Sequence, residues 1–286
     1  MSAPSGALQQ TGARWDPQPG SMDAIVLAGG INRIALYEGY EPGYKALLPY
    51  AGTPSIRFTL EALRGSQYVR DVCVVGSQET LAEAIGDSTI TFAPEGEGLL
   101  GSVVSGLEFF RDRQAVLVAT ADLPLVTAAI IDEFVEHSAA APTEFGANAY
   151  LAAIPKEAFT GAFASVRKDM SPFRGGTLCH GNLAVVEPRL LANAAATERL
   201  NTMYAARKNA LKSALALGVG VGLAYVVGVH FLHLLTARQM AHIASRRFQF
   251  GIVPVVVSRP ELALDVDEPE DYRLVSELLR QRPQTT

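Results

Sequence analysis

Cysteine is scarce in this 286-residue sequence, with Cys73 and Cys179 the only two. Two thiols cannot build a disulfide framework, and neither stands in a metal-ligand spacing, so a disulfide-stapled or zinc-ribbon architecture is excluded and a reducing compartment fits. Lysine is scarce too: Lys45, Lys156, Lys168, Lys208 and Lys212 are the whole set. The 24 basic residues face 29 acidic ones, a net charge of −5, and no basic cluster interleaves with aromatics. Nucleic acid is therefore not expected as a partner. The lone tryptophan, Trp15, lies in a polar opening stretch, residues 1–21, that is rich in Gly, Pro, Ser and Gln. That stretch lacks the apolar run of a signal peptide. It reads as a disordered leader, or as residues upstream of a start at Met22, with Trp15 carrying no weight, and a cytoplasmic location is the expectation.

What is present is a large apolar fraction, 49%, enough for a sizeable core. From Asp23 onward, short apolar runs of strand length alternate with longer amphipathic stretches. Ala24–Leu27, Val69–Val75, Thr89–Phe92, Ala115–Ala119 and Ile252–Val257 read as strands; Glu79–Ile85, Ser102–Phe110, Thr127–Val135 and Pro269–Leu279 read as helices. Such alternation predicts an α/β fold of Rossmann-like type, a mostly parallel central sheet with helices on both faces. Pro254 inside its run marks that strand for an edge or a bulge. One domain is expected over residues 22–282, with 283–286 a tail.

The second half carries a hydrophobic helical insertion, about residues 188–248. Within it, residues 214–235 hold no charge, and Arg207, Lys208 and Lys212 precede while Arg238, Arg246 and Arg247 follow. As a helix that length is roughly 33 Å, enough to cross a bilayer. Three readings are weighed: a buried or lid-forming helix pair, docking on a membrane surface, and a true span. The first is preferred. His230 and His233 read as polar spots on an apolar helix rather than metal ligands.

Four local features carry chemistry. Leu27-Ala28-Gly29-Gly30 ends the first strand, and Lys45 follows fifteen residues beyond Gly30. Glycines there let backbone N–H groups approach a nucleotide, and a cation offsets phosphate charge, although a tight turn with a solvated lysine has the same spelling. Glu97-Gly98-Leu99-Leu100-Gly101-Ser102 feeds a helix start, suited to anions or a polar base, with Ser102 equally a plain N-cap. Asp122 stands just past an apolar strand, at the carboxyl end where open α/β sheets bind ligands, or else caps the next helix. Lastly, alternation puts Asp265 and Asp267 on one side of an extended segment, while Glu268, Glu270 and Asp271 decorate a first helical turn.

Together these residues resemble the MobA-like nucleotidyltransferase family, with its glycosyltransferase-A-type fold. The family pattern appears as Leu27–Gly30, as Lys45-Ala46-Leu47-Leu48-Pro49-Tyr50-Ala51-Gly52-Thr53-Pro54, as Gly98–Leu107, as Asp122-Leu123-Pro124, and as the Asp265–Asp271 close, in the family's order. The resemblance implies a nucleotide held by Leu27, Ala28, Gly29, Gly30, Lys45, Gly101 and Ser102, with Lys45, Asp122 and Asp267 catalytic. It implies Mg²⁺ on Asp122 and Asp267, Asp265 being the alternative ligand. The sequence departs from the pattern at Ile34, where an arginine is usual; Arg33 lies one step early. Arg174-Gly175-Gly176 precedes a strand-like run where the family places its acceptor pocket, which makes Arg167, Arg174 and Asn182 candidate acceptor contacts.

The implied reaction moves NMP from an NTP to a phosphorylated or hydroxyl acceptor, a small molecule that is hydrophobic or lipid-linked if residues 214–235 make a peripheral membrane contact. A glycosyltransferase using a nucleotide sugar and a non-catalytic nucleotide-binding or membrane-associated module are the alternatives. A span is disfavoured because it separates Asp122 from Asp267.

Overall fold

A computed structural model describes residues 15–143, 148–192 and 224–282, with Glu198, Gly220 and Gly222 between. The apolar runs become the strands of one mixed sheet. They are β1 (Met22–Leu27), β4 (Val69–Val75), β5 (Thr91–Ala93), β6 (Val116–Thr120), β7 (Asn148–Pro155), β8 (Ser171–Phe173), β9 (Gly176–Val186) and β10 (Gly251–Val256). A two-residue ladder, β2 (Pro49–Tyr50) with β3 (Thr53–Pro54), stands apart. The strand order is β10-β7-β9-β6-β1-β4-β5, with β8 hanging on β9. All main ladders are parallel except those of β9, which runs antiparallel between β6 and β7. β10 pairs with β7 alone, so Pro254 does lie on an edge strand.

The helices are α1 (Ser55–Gly65), α2 (Gln78–Ile85), α3 (Gly98–Phe109), α4 (Ala128–Ala140), α5 (Ala237–Phe248) and α6 (Pro269–Gln281). β1 is buried along its whole length because both faces of the sheet are covered. Leu63, Leu81, Phe134 and Tyr150 fill one side, and Leu107, Phe110, Leu190 and Phe248 fill the other. α3 lies unusually close to the sheet. A Cβ on Gly106 would come within 2.8 Å of Ile25 Cδ1 and 2.9 Å of Val75 Cγ2. That approach fixes the height at which the start of α3 meets the carboxyl ends of the strands.

Several expectations need correction. Trp15 is not in a featureless leader. It is 4% exposed, sits in the core, and meets Tyr150 edge-on at 5.8 Å between ring centroids. Residues 15–21 join the fold through a hydrogen bond from Gly20 N–H to Gln67 O, while residues 1–14 lie outside the described ones. The third strand falls at Thr91–Ala93, two residues later than read, and α1 and β7 were not anticipated. Of the expected insertion, residues 193–197, 199–219, 221 and 223 lie outside the described ones. Ala224–Phe231 winds as a π-helix, and α5 follows, opened by a capping box between Thr236 and Gln239. Among the described residues no helix is long and apolar enough to cross a membrane.

Candidate active site

A cleft of about 490 Å³ opens at the carboxyl ends of β1 and β6, and its wall takes in Leu27, Ala28, Gly29 and Gly30. The chain after Gly30 makes a long excursion and then returns. Lys45 N–H donates to Gly30 O at 2.8 Å, Asn32 N–H to Gly43 O at 2.8 Å, and Ile31 bridges Tyr44. The loop is thereby pinched at its base, which is why its extra length does not carry Lys45 away from the glycines. Arg33 also lines the cleft, one step early in sequence but within its wall.

The opposite wall comes from the loop after β5 and the first turns of α3. Gly96 and Gly101 stack backbone on backbone. A Cβ on Gly96 would lie 2.1 Å from Gly101 C, so no other residue fits that position without moving the loop. The helix begins at Gly98, where φ is +68°, and not at Ser102 as expected. Ser102 therefore stands in the second turn, and its Oγ accepts from Gly96 N–H at 3.2 Å instead of capping a helix. It still lines the cleft, as do Gly98 and Leu99, whereas Gly101 serves by packing against Gly96.

The charged centre lies where these walls meet. Lys45 Nζ is 3.3 Å from Asp122 Oδ2 and 3.9 Å from Asp265 Oδ2, and it pairs directly with Asp267 Oδ1. Residues 122 and 267 meet because α6 is clamped to the β1–α1 region. Tyr272 stacks on Tyr37 at 4.7 Å and on Tyr50 at 5.3 Å, and its hydroxyl donates to Pro49 O at 3.0 Å. Val266, 1% exposed, points into the core, so Asp265 and Asp267 turn the other way, as alternation requires. Glu268 and Asp271 form a reciprocal cap that starts α6. Thr127, and not Asp122, caps α4, which leaves Asp122 for the cleft.

Electrostatics follow from this crowding. Burial pulls the Lys45 ammonium down, but Asp122, Asp267 and Asp265 outweigh it and its pKa is pushed up to about 12. For Asp265, burial acts upward, yet Lys168 and then Lys45 hold the carboxyl below its usual range. Lys168 Nζ reaches Asp265 Oδ1 at 2.8 Å and its carbonyl oxygen at 3.2 Å. Sequence reasoning missed Lys168, which belongs to no motif. Glu95 was missed as well: it packs on Gly29, with its carboxyl carbon 2.8 Å from where a Cβ there would sit. Its place just past β5, at a strand's carboxyl end, was a usable signal.

Among the described residues no three His, Cys, Asp or Glu side chains stand ready as a metal cage. The Lys45 ammonium takes up the space between the carboxylates. The donor set nevertheless fits Mg²⁺ in kind, since the acidic oxygens gathered around Lys45 Nζ are all carboxylate oxygens. Thr120 Oγ1, in the cleft wall, is buried with no hydrogen-bond partner among the described residues.

Of the acceptor candidates, Asn182 lines the cleft. It does so through an irregularity in β9. Ala184 pairs with Leu151, but Ala153 pairs with His180, so β9 arches over two extra residues around Asn182. Arg167 and Arg174 do not reach this cleft. Both are exposed, Arg174 in the β8–β9 turn with its N–H donating to Leu235 O at 2.9 Å.

Comparison with known proteins places this geometry. The family model of the MobA-like NTP transferase domain matches residues 24–217, well over half the chain. The chain belongs to the MobA-like NTP transferase family. A hypothetical transferase from Thermus thermophilus matches with 30% identity and a TM-score of 0.71 over 87% of this chain and 98% of that one. This NTP transferase shares its fold with 4-diphosphocytidyl-2C-methyl-D-erythritol synthase from Anaerococcus prevotii, at 12% identity and a TM-score of 0.51 over 91% and 96% of the two chains. The bifunctional protein GlmU of Cupriavidus pinatubonensis is 32% identical over 44% of this chain, a stretch covering 27% of GlmU. The match thus spans about a quarter of that curated relative. The chain carries an NTP transferase domain.

Proposed function

We propose that the enzyme transfers NMP from an NTP to a phosphorylated or hydroxyl small-molecule acceptor with Mg²⁺, releasing pyrophosphate. The observation that carries this reading is the convergence of Asp122, Asp265 and Asp267 on Lys45 at the mouth of a glycine-lined cleft. In the reaction an acceptor oxygen forms a bond to the α-phosphorus as the bond from that phosphorus to the bridging oxygen of the β-phosphate breaks. The electron pair leaves with pyrophosphate, and an acceptor hydroxyl, where there is one, gives its proton to solvent. Such transfer depends on positioning and charge stabilisation more than on covalent help from the protein.

Each residue's part follows from its place. Gly29 and Gly30 keep the strand-end backbone bare so that base, ribose and phosphates can lie against it. The first turns of α3 offer a helix N-terminus to polar or anionic atoms. Lys45 and Arg33 face the phosphates with positive charge, and the carboxylates around Lys45 offset the burial that would otherwise lower its pKa. Asp122 and Asp267 would hold Mg²⁺, with Asp265 beside them under the hand of Lys168; the ion supplies Lewis-acid stabilisation of phosphate charge. Asn182 marks the side from which the acceptor approaches.

The testing experiment is a thermal-shift panel of the four NTPs with and without Mg²⁺, followed by pyrophosphate release with phosphorylated acceptors. Binding by none of the four defeats the reading. A peripheral membrane contact is a second reading for the insertion, favoured by Val226, Leu232 and Leu234, which stand 47%, 56% and 58% exposed ahead of Arg238. Flotation with anionic liposomes tests it, and a protein that stays wholly in the lower fractions rules it out.

A further inference from the structure

The strand that brings Asn182 to the cleft also walls a second cavity. It lies under α5 and the π-helix, against the middle of β7 and the early part of β9, with a volume of about 180 Å³. Its lining is almost wholly apolar, with Leu151, Phe173, Leu178, Met240 and Ala241 among the walls. The hydroxyls of Ser171 and Tyr225, which also border it, are hydrogen-bonded to each other at 2.8 Å. The Cys179 thiol in the same wall is neutral, since burial pushes its pKa up. A space with so apolar a lining asks for an apolar guest. A cavity of about 150 Å³ lined by aliphatic and aromatic side chains takes up benzene.

Position gives the cavity its meaning. His180 borders it and Asn182 borders the nucleotide cleft, two residues further along β9. Two residues of chain span at most about 7 Å. The arch in β9 begins directly after His180, carries Asn182, and ends where regular pairing returns at Ala184. A molecule with one apolar end and one phosphate or hydroxyl end can therefore occupy both spaces through a short linker.

We infer that this cavity holds an aromatic ring or short branched alkyl group of the acceptor, whose phosphate or hydroxyl passes Asn182 into the cleft. The inference rests on the nucleotidyl-transfer reading above and narrows it to a class of acceptor. The volume suits one ring and excludes a whole acyl or polyprenyl chain. A sugar phosphate or polyol phosphate without an apolar group leaves the cavity empty and gains nothing from it.

The test is calorimetric titration of the full chain with benzyl phosphate and with methyl phosphate, beside titration with the NTP that the panel selects. Benzyl phosphate is expected to bind at least about tenfold more tightly than methyl phosphate, the ring's burial supplying the difference. Ala241→Phe fills the cavity from α5, and it should bring benzyl phosphate down to the methyl phosphate level while NTP affinity stays unchanged. Ala237→Leu, at the first position of α5, does the same work should the larger side chain prevent folding. Equal affinities for the two phosphates, or a ring preference that survives filling, overturn the inference while NTP binding stands. Absence of NTP binding overturns the transfer reading itself, and the acceptor assignment falls with it.

Discussion

Replacing Lys45 with methionine keeps the volume of the side chain and removes the ammonium around which three carboxylates gather. In the folded protein that ammonium titrates at about 12, against an ordinary value of 10.5. At about 1.4 kcal/mol per unit, its charge contributes roughly 2 kcal/mol to stability. Because the folded value is the higher one, that contribution is fully present below pH 10.5 and is lost as the pH rises through about 12. At pH 8 the variant is expected to lose about 2 kcal/mol or more in urea unfolding, since Asp122, Asp265 and Asp267 then also repel one another. Two perturbations should narrow the deficit. Lowering the pH below the ordinary carboxylate range removes the acidic side of the unit, and millimolar Mg²⁺ offers it another cation. A deficit that keeps its size from pH 8 down through that range, unmoved by Mg²⁺, would refute the claim that these groups form one electrostatic unit.

Other outcomes are equally specific. Lys168→Ala should cost about 1.5–3 kcal/mol at pH 7, the worth of a hydrogen bond to a charged group, and progressively less as the pH falls below the ordinary carboxylate range. The sign follows from Asp265, whose lowered pKa adds stability above the ordinary carboxylate range and loses it as the pH falls through the folded value; an acid-insensitive loss argues otherwise. Gly96→Ala puts a methyl 2.1 Å from Gly101 C, a backbone clash that must move the loop, so NTP affinity should fall at least about tenfold in calorimetry and the melting temperature should drop as well. Trp15→Ala should cost about 3–5 kcal/mol in denaturant unfolding, whereas a change below about 0.5 kcal/mol would place Trp15 outside the core. Arg33→Ala should weaken NTP binding without affecting folding, and unchanged affinity would remove the arginine from the phosphate site.

Much of this site could be read from the chain because its parts are local. A strand that ends in two glycines, an aspartate just past another strand, and an acidic segment before a helix each spell their own backbone geometry. The order of these pieces then identifies a fold that gathers strand ends at one edge. What escaped has a physical reason in each case. Lys168 belongs to no periodic element, and its partner Asp265 is far away in sequence, so only the folded chain brings them together. Trp15 stands in a polar stretch whose composition says nothing of the single ring that reaches Tyr150. Ser102 looked like a helix start because serine caps helices well, yet the positive φ of Gly98 lets the helix begin one turn earlier. The arch in β9 breaks the two-residue period from which strand faces are read, so Asn182 rested on the family resemblance alone.

Calorimetric titration of the wild-type chain and of Asp122→Asn with the selected NTP, each at several Mg²⁺ concentrations, puts the shared acidic centre to its most direct trial. The account predicts that Mg²⁺ strengthens nucleotide binding in the wild type, that Asp122→Asn abolishes this dependence, and that Asp267→Asn does the same. Unchanged Mg²⁺ dependence in both variants would contradict it.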